Sequence, residues 1–209
     1  MAKSSRESRE FQQMIDCLNV VRKIYLNYPS KNILDNFEDD DDNAILSWRV
    51  RYAILQDSLF EITYKIDTSK SWNSYANIGL IDKKPSFLYY PYHQNHDGNT
   101  CMLANEDIAR LPRNEYIKKI VREKILIVLV NPQYSALWSK PKDISFKSIE
   151  SSQIEYEKFN ICGNLVYLSV NGDIVIKKLP IDKSDWIQLC HLSQEEESDI
   201  EKHLEQLWH

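Results

Sequence analysis

The stretch Lys124-Ile-Leu-Ile-Val-Leu-Val-Asn131 constrains this chain more than any other. Branched aliphatics run unbroken over residues 125–130 and leave no polar face for water, which predicts a strand buried on both sides. A helical segment is the competing reading. The shortness of the run, its β-branched residues and the Asn131-Pro132 stop all favour the strand. A strand with two buried faces needs neighbours, so the rest of the chain is expected to supply further strands and covering helices.

Strand patterns lie on both sides of it. Residues 154–161, 165–170 and 173–179 read as a meander, with Asn171-Gly172 suited to a type I′ hairpin turn. Upstream, Phe60, Ile62, Tyr64 and Ile66 alternate with polar residues, and Trp48, Val50, Tyr52 and Ile54 do the same. A hairpin about Gln56-Asp57-Ser58 would align the two apolar faces. The alternative is a helix through Trp48, Tyr52 and Leu55 capped by Asp42; the hairpin is the favoured expectation. Residues 75–81 and 86–92 suggest two more strands around Asp82-Lys83-Lys84-Pro85.

Helical signals stand at both ends and in the middle. Phe11, Met14, Ile15, Leu18, Val21 and Tyr25 recur at spacings of three and four over residues 5–27, ahead of Pro29. Asn105 and Asn114 are placed to cap helices running to about residues 110 and 123. Ser193 followed by Glu196 is a capping box for a helix through Ile200, Leu204 and Leu207. These elements predict a single α+β domain over residues 1–209: a mostly antiparallel sheet with a buried central strand, packed by N- and C-terminal helices. The acidic segment at 35–43, which holds Glu38-Asp39-Asp40-Asp41-Asp42, is expected to be a solvated loop, and residues 131–143 mark a possible sub-division.

Composition narrows the chemistry. Only 4 glycines occur, and Gly98, Gly163 and Gly172 sit in turn contexts, which leaves too few for a phosphate-cradling loop. Lys and Arg total 26 against 31 Asp and Glu, a net charge of −5 that argues against a chain-wide nucleic-acid footprint. The four cysteines are widely spaced and the first residues carry no apolar leader, so reduced thiols and a cytoplasmic location are expected. No apolar run is long enough to span a bilayer, so no membrane partner is expected.

Three constellations remain as candidates. His93, His96 and Asp97 share a loop with Tyr89, Tyr90 and Tyr92, and Cys101 follows closely; two imidazoles and a thiol offer zinc ligands, but no second ligand pair follows at a fixed distance. Asp57 and Glu61, with Lys65, resemble the acidic and basic set of sheet-based endonucleases in type. Glu61 and Lys65 are four apart, however, roughly 13 Å between Cα atoms on a strand, where that chemistry needs a spacing of two. Arg110, Arg113, Lys118, Lys119, Arg122 and Lys124 form the one basic concentration, beside which Tyr89, Tyr90 and Tyr92 could stack bases. No Gly-x-Ser-x-Gly elbow occurs, and the adjacent Cys190 and His191 point apart on any regular element.

The catalytic candidates are thus Asp57, Glu61, His93, His96 and Asp97, and those for nucleic-acid binding are Tyr89, Tyr90, Tyr92, Arg113, Lys118, Lys119 and Arg122. No metal site or cofactor is expected. Twelve tyrosines and five tryptophans favour another protein as partner, with nucleic acid the alternative. The expected function is a non-catalytic cytoplasmic interaction module of accessory, adaptor or inhibitor type. A metal-dependent nuclease or hydrolase, and a single-stranded nucleic-acid-binding protein, are the alternatives.

Overall fold

The computed structural model describes residues 2–28, 34–41, 43–56, 65–80, 84–88, 98–112, 114–146 and 156–208. In chain order its elements are α1 (Ala2–Asn27), β1 (Phe37–Glu38), β2 (Ala44–Leu46), α2 (Trp48–Leu55), β3 (Asn99–Thr100), β4 (Met102–Ala104), α3 (Glu106–Ala109), α4 (Glu115–Val121), β5 (Ile125–Leu129), β6 (Ala136–Leu137), α5 (Tyr156–Phe159), β7 (Asn164–Ser169), β8 (Ile174–Lys178), α6 (Lys183–Cys190) and α7 (Gln194–Trp208). Short 3-10 turns stand at Ile78–Leu80, Ser86–Leu88 and Pro132–Tyr134. The fold is α+β. A four-stranded antiparallel sheet of order β4-β5-β7-β8 carries it, and β1-β2 and β3-β6 form two small antiparallel pairs.

The aliphatic run is the inner strand β5, and every residue from Ile125 to Leu129 is buried. Burial of each such side chain is worth about 1.5–3 kcal/mol before chain entropy is counted. On the chain's N-terminal side α1 buries Met14, Leu18, Val21 and Tyr25 of the expected stripe and adds Ile24, while Phe11 and Ile15 are half-buried against the same core. From the other end Trp186, Leu189 and Cys190 of α6 and Ile200 of α7 enter the same core. Phe146, Phe159 and Trp186 pack ring to ring, with centroids 4.9 to 5.8 Å apart.

The local caps behave as read. Asn105 Oδ1 accepts from Asp107 N, Asn114 Oδ1 accepts from Ile117 N, and Ser193 and Glu196 exchange both bonds of a capping box. Glu196 also takes the ammonium of Lys124 at 2.9 Å, and Lys124 donates to the Gln188 carbonyl at 2.8 Å. The residue that precedes β5 is thereby tied to both C-terminal helices.

Five expectations are corrected. Residues 48–55 are the helix α2 rather than half of a hairpin. Ser47 caps it through Arg49 N, and Trp48 and Tyr52, one turn apart, set their rings edge to face at 5.1 Å. Of the expected partner strand through Phe60, Ile62, Tyr64 and Ile66, residues 60–64 lie outside the described residues, and Lys65 and Ile66 are not in a strand. Described residues 75–80 form turns closed by a 3-10 turn, not a strand, and residues 86–88 are likewise a 3-10 turn. The expected strand at 154–161 holds helix α5, because Tyr156 and Phe159, three apart, both reach Trp186. The β7-β8 hairpin exists, but its connection is not type I′. Gly172 has φ +88 and Asn171 keeps a negative φ, so Val170 and Asn171 form the centre of an ordinary turn (Gly172 N to Ser169 O, 3.0 Å) and glycine alone takes the left-handed position.

The edges of the main sheet differ. Bonds from Val130 N to Cys101 O and from Asn105 N to Leu126 O show that odd-numbered residues of this segment face β5, so Met102 and Ala104 turn their backbone groups outward. Each outward group is answered. Met102 N donates to Thr100 Oγ1, Met102 O accepts from Arg49 Nε and Nη2 at 2.9 and 2.7 Å, Ala104 N donates to Asp143 Oδ1 at 2.9 Å, and Ala104 O accepts from Ile144 N.

Arg49 and Asp143 are themselves paired at 2.7 Å with side-chain exposures of 0% and 4%. The guanidinium also donates to Ser47 Oγ and the Lys142 carbonyl, and the carboxylate accepts from Trp48 Nε1. Removing one partner of a buried pair leaves the other charge uncompensated, at a typical cost of about 3–5 kcal/mol. Arg49→Met is therefore expected to destabilise the fold by about that amount in urea unfolding. Arg49→Lys, which keeps the charge but loses the two-pronged grip on Met102 O, is expected to fall between.

Candidate functional site

The sequence candidates divide by position. Asp57, Glu61, Tyr89, Tyr90, Tyr92, His93, His96, Asp97 and Arg113 lie outside the described residues, so the zinc-type and endonuclease-type constellations have no geometry here. Lys118, Lys119 and Arg122 do come together. With Glu115 they line one wall of a groove of about 350 Å³, whose other wall is Tyr25 and Leu26 of α1 and Val170 and Asn171 of the hairpin. Tyr25 Oη donates to Val170 O at 2.7 Å, and Arg22 donates to Gly172 O, so α1 is fixed against the turn. Lys118 stands 3.6 Å from Glu115 and Arg122 stands 3.4 Å from Glu123. Both pairs are solvent-screened contacts. Lys124 does not belong to the patch, because it is buried and held by Glu196 and Gln188.

A second cleft, of about 530 Å³, was not legible in the sequence. It opens beside the Arg49 and Asp143 pair and gathers Asp35, Glu38, Glu106, Arg110 and Asp143. Asn36 shapes its wall by accepting from Trp48 N, and Arg51 lies over the Phe37 ring at 4.1 Å while donating to Asp35 O. Burial holds the Glu106 carboxyl above its ordinary range; Arg110 opposes this, and Asp143 and Asp107 add to it. Among the described residues no three His, Cys, Asp or Glu side chains are disposed to hold one metal ion. Asp39 closes the β1-β2 hairpin: it accepts from Asn43 N and Asp41 N, and those backbone bonds lower its pKa.

Neither Cys17 nor Cys190 is an activated nucleophile. Cys17 is pushed up to about 11, mainly by desolvation and then by Asp16, and burial raises Cys190 as well. Cys162 is the exposed cysteine, in a turn at φ +52.

A third surface is apolar. Asn77 is buried and organises residues 67–77: its Oδ1 accepts from Asp67 N at 3.0 Å and its Nδ2 donates to the carbonyls of Asp67, Lys70 and Ser71 at 2.9, 2.9 and 3.1 Å. Trp72 N donates to Ile45 O and docks this loop on β2. On the loop so fixed, Tyr75 is 100% exposed and Ile78, three residues on, is 52% exposed. Sequence pattern had assigned these apolar residues to a strand; the tell-tale was Asn77 in the middle of them, a residue that favours turns over strands.

Compared with known proteins, the chain matches no family model, no curated protein and no solved structure.

One pH dependence follows from the acidic cleft. A carboxyl whose pKa rises on folding costs stability at neutral pH, and that cost disappears as pH falls through the folded-state value. Glu106→Gln is accordingly expected to raise the melting temperature slightly at neutral pH, with the difference closing as pH falls below the ordinary glutamate range. Thermal melts of both proteins across a pH series check this, and a difference independent of pH contradicts it.

Proposed function

We propose that this chain is a non-catalytic protein-interaction module of accessory-subunit, adaptor or inhibitor type, acting in the cytoplasm, with another protein as its partner. The observation that carries this reading is the fully exposed Tyr75 beside Ile78 on a loop whose shape Asn77 fixes from within. Tyrosine presents a large amphipathic surface at little entropic cost, and a loop already ordered in the free protein loses little freedom on binding. An interface centred on such an anchor needs no reactive group.

A photo-crosslinking residue placed at position 75 in cells, with the same residue at Glu201 on the exposed face of α7 as control, tests the reading. The expected result is a discrete protein adduct at 75 and none at 201. Against the partner so identified, Tyr75→Ala is expected to weaken binding by about 2 kcal/mol or more, while folding stability changes by less than about 0.5 kcal/mol. The reading fails if position 75 yields no adduct and the purified chain cleaves nucleic acid with divalent metal. It fails equally if the chain binds single-stranded nucleic acid in a salt-sensitive way that Lys118→Glu and Lys119→Glu abolish, which would favour the basic groove instead.

A further inference from the structure

The main sheet is closed along β4 and open along β8. Asp173 O accepts from Ser169 N and Leu179 N donates to Gly163 O, and the pairing of Leu165 with Lys177 and of Tyr167 with Val175 keeps that register. Odd-numbered residues of β8 therefore face β7, and Ile174, Ile176 and Lys178 direct their N–H and C=O groups away from the sheet. Among the described residues none of these outward groups has a hydrogen-bond partner. Ile176, at the middle of the strand, is 48% exposed, an unusual choice for an edge that only has to meet water.

We propose that β8 pairs antiparallel with β8 of a second copy of this chain, across a two-fold axis at Ile176. Only residues 174, 176 and 178 offer outward backbone groups, which restricts the possible registers. Centring on Ile176 sets Ile176 against its own copy, Ile174 against Lys178 and Val175 against Lys177, so all of β8 pairs and no lysine faces a lysine. Centring on Lys177 or Lys178 puts like charges directly opposite, which is destabilising. Centring on Val175 sets Lys178 against Gly172, where the chain at φ +88 has left the extended conformation. The edge is thus self-complementary in one register, as an isologous contact requires.

Pro180 limits the strand at one end and the turn at Gly172 at the other. The opposite edge is no template, because Arg49, Asp143, Thr100 and Ile144 already occupy the outward groups of β4. Association consequently stops at two copies, two four-stranded sheets joined into one, instead of growing into a filament. Edge pairing of one short strand buries less than the roughly 1,000 Å² typical of a tight complex, so the dimer is weak and concentration-dependent.

The test is sedimentation equilibrium of the full chain over a concentration series, for the native protein and two variants. Ile176→Pro removes an outward N–H without touching the β7 ladder, a position where an edge strand tolerates proline. Ile176→Lys places like charges at the axis. The expected result is a monomer–dimer equilibrium with no larger species, its dissociation constant raised at least tenfold by either variant while far-ultraviolet circular dichroism is unchanged. As a check that does not depend on affinity, Ile176→Cys in a Cys162→Ser background is expected to form an interchain disulfide on mild oxidation, since hydrogen-bonded antiparallel partners lie about 5.5 Å apart at Cα, whereas Val175→Cys is not. A chain that stays monomeric at its highest attainable concentration, or a dimer indifferent to both variants, overturns the proposal. A monomer that still captures a partner through Tyr75 overturns it and leaves the interaction reading intact.

Discussion

The architecture depends on one buried contact, the bond of Arg49 to Asp143. These residues are 94 positions apart, and between them they occupy the outward carbonyl of Met102 and the outward amide of Ala104. A short strand with unanswered backbone groups cannot be buried, because each orphaned donor or acceptor costs about 1–3 kcal/mol. The guanidinium and the carboxylate act in place of the strand that would otherwise be needed. That is why a helix, α2, can close this side of the sheet, and why the hydrophobic run of β5 finds cover on both flanks.

The same contact explains where the candidate surfaces fall. Asp143 forms the inner wall of the acidic cleft, and its negative charge contributes to the raised pKa of Glu106. The Ser47 hydroxyl that caps α2 also receives Arg49, so the helix start and the sheet edge are one assembly. On the far side the outward groups of β8 have no such partners among the described residues. The asymmetry, one edge answered by side chains and the other left to be answered by another chain, is the feature on which the self-pairing rests.

What could be read in the sequence was local. The aliphatic run, the stripe of α1 and the caps at Asn105, Asn114 and Ser193 each draw their meaning from residues within a turn or two, and each appears where expected. Two of the misreadings share one cause, a polar residue assumed to be wet. Arg49 looked like the solvent face of an alternating strand, yet it is wholly buried because a carboxylate far along the chain waits for it. Asn77 sat within an apolar stretch and turned it into a loop by binding carbonyls of residues 67 to 71. Asn171-Gly172 named a turn correctly but not its type, because pairing of Ser169 with Asp173 sets a three-residue connection. Of the candidate site, the basic groove was legible from Lys118, Lys119 and Arg122 at helical spacing, and the cleft around Glu106 was not, since it is built from four separate segments.

The most direct measurement of this account is amide hydrogen exchange at Ala104. If the Asp143 carboxylate seals the β4 edge, the Ala104 amide exchanges only through global unfolding, as slowly as Leu126 and Val128 in the inner strand, and Asp143→Asn or Arg49→Met accelerates it out of proportion to the loss of global stability. An Ala104 amide that exchanges in the native protein as freely as one on an open sheet edge contradicts the account.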